Sequence, residues 1–140
     1  MTTRAMIAIF VLALCTATVA EARGTVPIVP HENVVLTAAA GGPLTAEQVR
    51  GAIIRAAART RYPWMITADG PDKLIATTLV RGKHTAEVSI SYTPSSFSVT
   101  YRDSRNLNYR IRHGAPEIHP NYNVWVQQLV DAIQAEAAKK

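Results

Sequence analysis

The chain has 140 residues, 48% apolar and 18% charged, with 15 Lys and Arg against 10 Asp and Glu for a net charge of +5. The length leaves room for one core rather than two. With a single cysteine there is no internal disulfide framework, so the fold must be held by its core alone.

Arg4 is followed by an uncharged apolar run from Ala5 to Leu14. A charged start and a short apolar stretch make a secretory signal, too short to cross a bilayer as a helix. Ala20-Glu21-Ala22 fits the small-x-small cleavage rule, which predicts a signal peptide over residues 1–22; Thr18-Val19-Ala20 offers a second site, after Ala20. The expected location is therefore the periplasm. Leu12-Ala13-Leu14-Cys15 suggests the alternative of a lipoprotein signal, in which a lipidated Cys15 would be a membrane tether, but Leu14 is larger than the small residue usual before such a cysteine. Losing Arg4 and Glu21 leaves the net charge unchanged. A basic exported domain can meet anionic lipid headgroups, cell-wall polymers or acidic proteins, although modest charge also serves solubility alone.

Residues 23–32 hold Gly24, Pro27 and Pro30 and read as an extended leader. Residues 33–140 are then expected to form one α+β domain. Asn33–Thr37 is a short β-branched run and a candidate first strand, broken by Ala38–Pro43. Thr45 and Gln48 have capping-box spacing, with Leu44 and Val49 at the staple positions. Val49, Ile53, Ala56 and Ala57 then give a helical apolar stripe, with Arg55 and Arg59 on the opposite face. Pro63 predicts an end near Thr60.

Trp64–Ala68 and Leu74–Val80 read as strands around the turn Asp69-Gly70-Pro71-Asp72. The alternation is cleanest in His84–Tyr92, where Ala86, Val88, Ile90 and Tyr92 share one face. After Thr93-Pro94-Ser95-Ser96, the residues Phe97, Val99 and Tyr101 alternate with Ser98, Thr100 and Arg102. A hairpin here sets Tyr92 opposite Phe97, Ile90 opposite Val99, and Glu87 opposite Arg102. The last helix is expected from Asn121 to Ala137, capped by Asn121 or Asn123, with Tyr122, Trp125, Val126, Leu129 and Ile133 as its stripe. Lys139 and Lys140 suit its C-terminal dipole. The expected architecture is a two-layer α+β sandwich: an antiparallel sheet of about four strands with two helices on one face and a Ser/Thr-rich face left open.

The stretch Tyr101–Tyr109, with its Asn106-Leu107-Asn108-Tyr109, is followed by Ile118-His119-Pro120-Asn121-Tyr122-Asn123-Val124-Trp125-Val126-Gln127-Gln128-Leu129. This last third of the chain resembles a group of uncharacterised small exported proteins and lipoproteins of proteobacteria. The resemblance implies an envelope location and no reaction. Val124 stands where a basic residue is common in that group.

No catalytic motif appears. His113, Glu117 and His119 lie close in sequence, but across Gly114-Ala115-Pro116 they read as loop rather than as a metal-ligand pair. The serines belong to strand faces and turns, without a nucleophile elbow. No paired carboxylates or phosphate loop are present. The expectation is no catalytic residue, no metal and no cofactor. One feature is concentrated: Arg105, Tyr109, Arg110, Arg112 and His113 form a basic aromatic segment able to meet phosphate groups or sugar rings. His119, Asn121, Tyr122 and Trp125, with Asn106 and Asn108, are candidates to shape a polar groove beside it. The reading is a non-enzymatic binding or interaction module whose partner is an anionic envelope component or envelope protein; export argues against nucleic acid. The alternatives are an enzyme acting on an envelope polymer through His113, Glu117 and His119, or a structural envelope subunit.

Overall fold

The structure, a computed structural model, describes residues 24–37 and 42–139. The expected signal segment with Cys15, and the breaker at 38–41, lie outside the described residues. In chain order the elements are β1 (Val26–Pro27), β2 (His31–Val35), α1 (Ala46–Arg59), β3 (Trp64–Ala68), β4 (Lys73–Val80), β5 (His84–Tyr92), β6 (Ser96–Arg105), β7 (Arg110–Arg112), β8 (Ala115–Ile118) and α2 (Pro120–Ala137). The fold is α+β, with two helices and two antiparallel sheets among the described residues. One sheet has five strands in the order β2-β6-β5-β4-β3 and the other three in the order β1-β8-β7. The strand number therefore exceeds the expected four. The strand expected at Asn33–Thr37 runs from His31 to Val35, and the second sheet comes from segments read as leader and loop.

Helix α1 starts as its sequence demands. The Gln48 amide donates to Thr45 Oγ1 at 3.1 Å, and Gln48 Oε1 accepts from the Thr45 amide at 2.9 Å. Val49, Ala52, Ile53, Ala56 and Ala57 are buried along one stripe. Arg55 and Arg59 are not on a free face: both reach Glu136 near the end of α2, at 3.3 and 2.6 Å. Lys139 meets the same carboxylate at 2.6 Å instead of serving the helix dipole alone. The Lys139 hydrogen bond first, with the two arginines behind it, holds the Glu136 carboxyl below its usual value against the opposing effect of burial.

The sheet follows period two. Leu74, Ala76, Thr78 and Val80 of β4 are buried, as are Ala86, Val88, Ile90 and Tyr92 of β5 and Phe97 and Val99 of β6. The apolar members join the stripes of both helices in one cluster. Burying each large aliphatic side chain there contributes about 2 kcal/mol. Thr78, the polar member of this row, donates to the Pro63 carbonyl at 3.0 Å, so its burial leaves no unsatisfied hydroxyl. The β5–β6 hairpin has Tyr92 opposite Phe97 and Ile90 opposite Val99, as the alternation requires. A bulge then intervenes, and Glu87 pairs in register with Asp103 rather than Arg102. Arg102, the extra residue, still reaches Glu87 at 2.9 Å.

Beyond β6 the chain takes an unexpected course. Asn106 and Asn108 adopt left-handed backbone, φ 57° and 54°, which asparagine tolerates better than most residues. They flank Leu107, 2% exposed, which plugs into the core. The Leu107 carbonyl accepts from the His119 amide at 2.8 Å, which ties this loop to the start of α2. Between them, β7 and β8 form a hairpin across His113 and Gly114. Both turn residues have positive φ, 51° and 78°, the pattern of a two-residue I′ turn. The segment read as a His113–His119 loop is thus a strand pair. The leader is extended, but it is also paired: Val26 faces Ile118 and Pro27 faces Glu117. Asn123 fastens it to α2, donating to the Pro27 carbonyl at 2.9 Å and accepting from the Val29 amide at 3.0 Å.

Candidate functional site

The structure divides the sequence-derived site residues into two groups. Arg110, Arg112 and His113 lie on the β7–β8 hairpin, all exposed. Arg110 is engaged internally, pairing with Glu117 at 3.3 Å. Glu117 also accepts from the Thr25 hydroxyl at 2.6 Å. That hydrogen bond first, and the neighbouring Arg110 and Arg112 after it, hold the Glu117 carboxyl below its usual value. Tyr109 stacks on Tyr101 with ring centres 4.3 Å apart and planes within 5°. The pair borders an apolar groove of about 360 Å³ with Ile28, Pro30, His31 and Pro116. Arg105 ends β6, exposed, opposite Thr85.

His119, Asn121 and Trp125 form the second group, and Asn106 and Asn108 join them. They line a cleft of about 470 Å³ together with Arg81 and His84. An adjoining cleft of about 250 Å³ shares Arg81, His84, Asn121 and Trp125 and adds Arg61, Tyr62 and Gln128. Among the described residues, no Asp or Glu lines either cleft. Tyr122, at the same helix start, does not reach them: it is 2% exposed and packs edge-on against Tyr101 at 5.8 Å. Burial pushes its phenol well above the ordinary tyrosine value, which makes it a core residue.

Each wall of the cleft is fixed by hydrogen bonds. His119 replaces the expected Asn121 or Asn123 as the cap of α2, its Nδ1 accepting from the Asn121 amide at 3.1 Å. An accepting Nδ1 places the His119 proton on Nε2. His84 has the opposite arrangement. Its Nδ1 lies 2.9 Å from the Asn106 carbonyl, which can only accept, so Nδ1 carries a proton, and in the neutral ring the lone pair is on Nε2. The Asn106 side chain donates to the Lys83 carbonyl at 2.6 Å, locking the β4–β5 turn to the loop after β6. Arg81 sits in that turn at φ 53°. Arg61 lies near the Tyr62 ring, its guanidinium carbon 5.5 Å from the centroid.

Sequence reasoning found the amides and His119 but missed Arg61, Arg81 and His84. These come from the α1–β3 and β4–β5 connections, distant along the chain from the rest. The Arg81-Gly82-Lys83 turn and its neighbour His84 were the available signal. The alternative trio does not assemble. His113 is at a hairpin tip, Glu117 is bonded to Thr25 and Arg110, and His119 caps α2. Among the described residues, no three His, Cys, Asp or Glu gather as metal ligands. No described helix is long and apolar enough to cross a membrane. Compared with family models, curated proteins and solved structures, the chain matches none.

Proposed function

We propose that this chain is a non-enzymatic binding module of the cell envelope, exported to the periplasm, that holds an anionic partner in the cleft between the β4–β5 turn and the start of α2. The observation that carries this is the lining: two guanidinium groups, two imidazoles and three asparagines, with no carboxylate among them. Cations without a counterion among the described residues remain available to an anion, whereas Arg110, Arg55 and Arg59 already have one. The apolar leader at Ala5–Leu14 and the resemblance of the C-terminal third to small exported proteins support the compartment. The alternation of buried and exposed residues along β4 and β5 supports a two-layer arrangement, with helices over one sheet face and a Ser/Thr-rich face open.

Retention on dextran sulfate, a model polyanion, tests the reading. The native protein is retained at low salt and released as salt rises. Combined Arg61→Ala and Arg81→Asn weakens retention, whereas combined Arg110→Ala and Arg112→Ala leaves it nearly intact. Asparagine is used at Arg81 because the left-handed backbone there penalises most other residues. Retention that ignores salt and the first pair of changes would remove the cleft from the account.

A further inference from the structure

The cleft offers more than positive charge. A sulfate or a phosphodiester presents acceptors only, and a site built solely for such an anion needs donors. Here His119 has a donor at Nε2, while the neutral ring of His84 has a lone pair at its own Nε2. The side chain of Asn121 supplies one of each. Groups that are at once donor and acceptor are matched by hydroxyls, each of which also does both. Trp125 is 7% exposed, so only the rim of its indole reaches the same wall, a small apolar edge against which the C–H bonds of a pyranose can rest. Arg81, shared by both parts of the cleft, is the group for a carboxylate or ester anion on such a ring. The volumes, about 470 and 250 Å³, fall in or near the range of sites that enclose small ligands.

We infer that the ligand is an acidic saccharide, a sugar ring or short oligosaccharide bearing a carboxylate or phosphate, whose hydroxyls engage His84, His119 and Asn121, whose C–H bonds rest against the rim of Trp125, and whose anion meets Arg81. This rests on the anionic-partner reading and narrows it. It predicts that neither the charge alone nor the ring alone suffices for binding.

Titration by NMR, followed at the Trp125 indole N–H, tests it with three probes: digalacturonic acid, the neutral disaccharide galactobiose, and inorganic phosphate. The acidic disaccharide is expected to bind, and the other two about tenfold or more weaker. Asn121→Ala should reduce affinity for the acidic disaccharide by about fivefold to tenfold, a loss typical of one polar contact. Asn121 is exposed, and its side chain takes no part in the α2 cap, so the variant keeps the fold. If phosphate equals the acidic disaccharide, the saccharide inference is overturned and the anionic reading stands. The saccharide inference also fails, alone, if neither sugar binds while dextran sulfate is still retained. If the Arg110 and Arg112 changes abolish all binding and the Arg61 and Arg81 changes none, both fall together.

Discussion

The β7–β8 hairpin and the cleft at the start of α2 are both basic in sequence, yet they hold their charges in different ways. On the hairpin, Arg110 faces Glu117 and Arg112 lies within that carboxylate's influence. In the cleft, Arg61 and Arg81 share their walls with amides and imidazoles and with no acid. Counting arginines along the chain favours the hairpin; asking which of them lack an internal partner favours the cleft. An ion pair partly satisfies a guanidinium before any ligand arrives, so local pairing, rather than net charge, marks the surface able to bind.

Four measurements would break or sharpen that contrast. Leu107 holds the loop between the two regions, and Leu107→Ala should cost about 3 kcal/mol in unfolding free energy. Its effect should fall on the cleft wall more than on the hairpin, seen as faster amide exchange at Asn106 and His119 than at Ile111. Arg61→Ala with Arg81→Asn should weaken binding of an acidic oligosaccharide about thirtyfold, from two lost charge-assisted contacts. The matched Arg110→Ala and Arg112→Ala pair should change it by less than about threefold. Equal losses from the two pairs would erase the distinction. Gly114→Ala should cost the hairpin about 1 kcal/mol because φ there is 78°, measured by thermal unfolding, with cleft affinity unmoved.

The smallest effect concerns pH. His31 is 9% exposed, and its Nε2 has no hydrogen-bond partner among the described residues. Burial lowers its pKa from 6.5, a fall that Asp131 partly opposes. The unfolded chain therefore takes up a proton that the folded chain resists, and stability falls as pH drops below 6.5 toward the folded value. His31→Leu should flatten this part of the pH–Tm curve. Glu136 and Glu117, both held below the ordinary carboxylate value, act lower, their contribution vanishing as pH falls through their folded values.

What could be read from the sequence follows a physical division. α1 and the β5–β6 hairpin are local: a capping box and period-two alternation specify them within a few residues, and both formed at the expected places. The bulge at Arg102, opposite the step between Glu87 and Val88, leaves no mark in the alternation because the β6 residues beyond it, Asp103, Ser104 and Arg105, are all polar. The second sheet was hidden because β1 is two residues long and pairs with a strand far along the chain, and because His113-Gly114 makes a turn more often signalled by Asn-Gly. His119 was overlooked as a cap since histidine rarely takes that place, but Pro120 at the first helical position is its companion signal. Of the cleft, the contiguous half was visible as Asn121 to Trp125. Arg61 and Arg81 needed the folded arrangement, since nothing local unites them with α2.

Pro27 and the two arginines of β7 have one more consequence. The three-stranded sheet ends on β1 at one side and β7 at the other. Pro27 has no amide proton to offer a strand arriving at the first edge. At the second, any newcomer would have to settle beside Arg110 and Arg112, on either side of exposed Ile111. Two copies approaching edge to edge would therefore find a missing donor or like charges, a built-in guard against runaway sheet growth where protein is crowded.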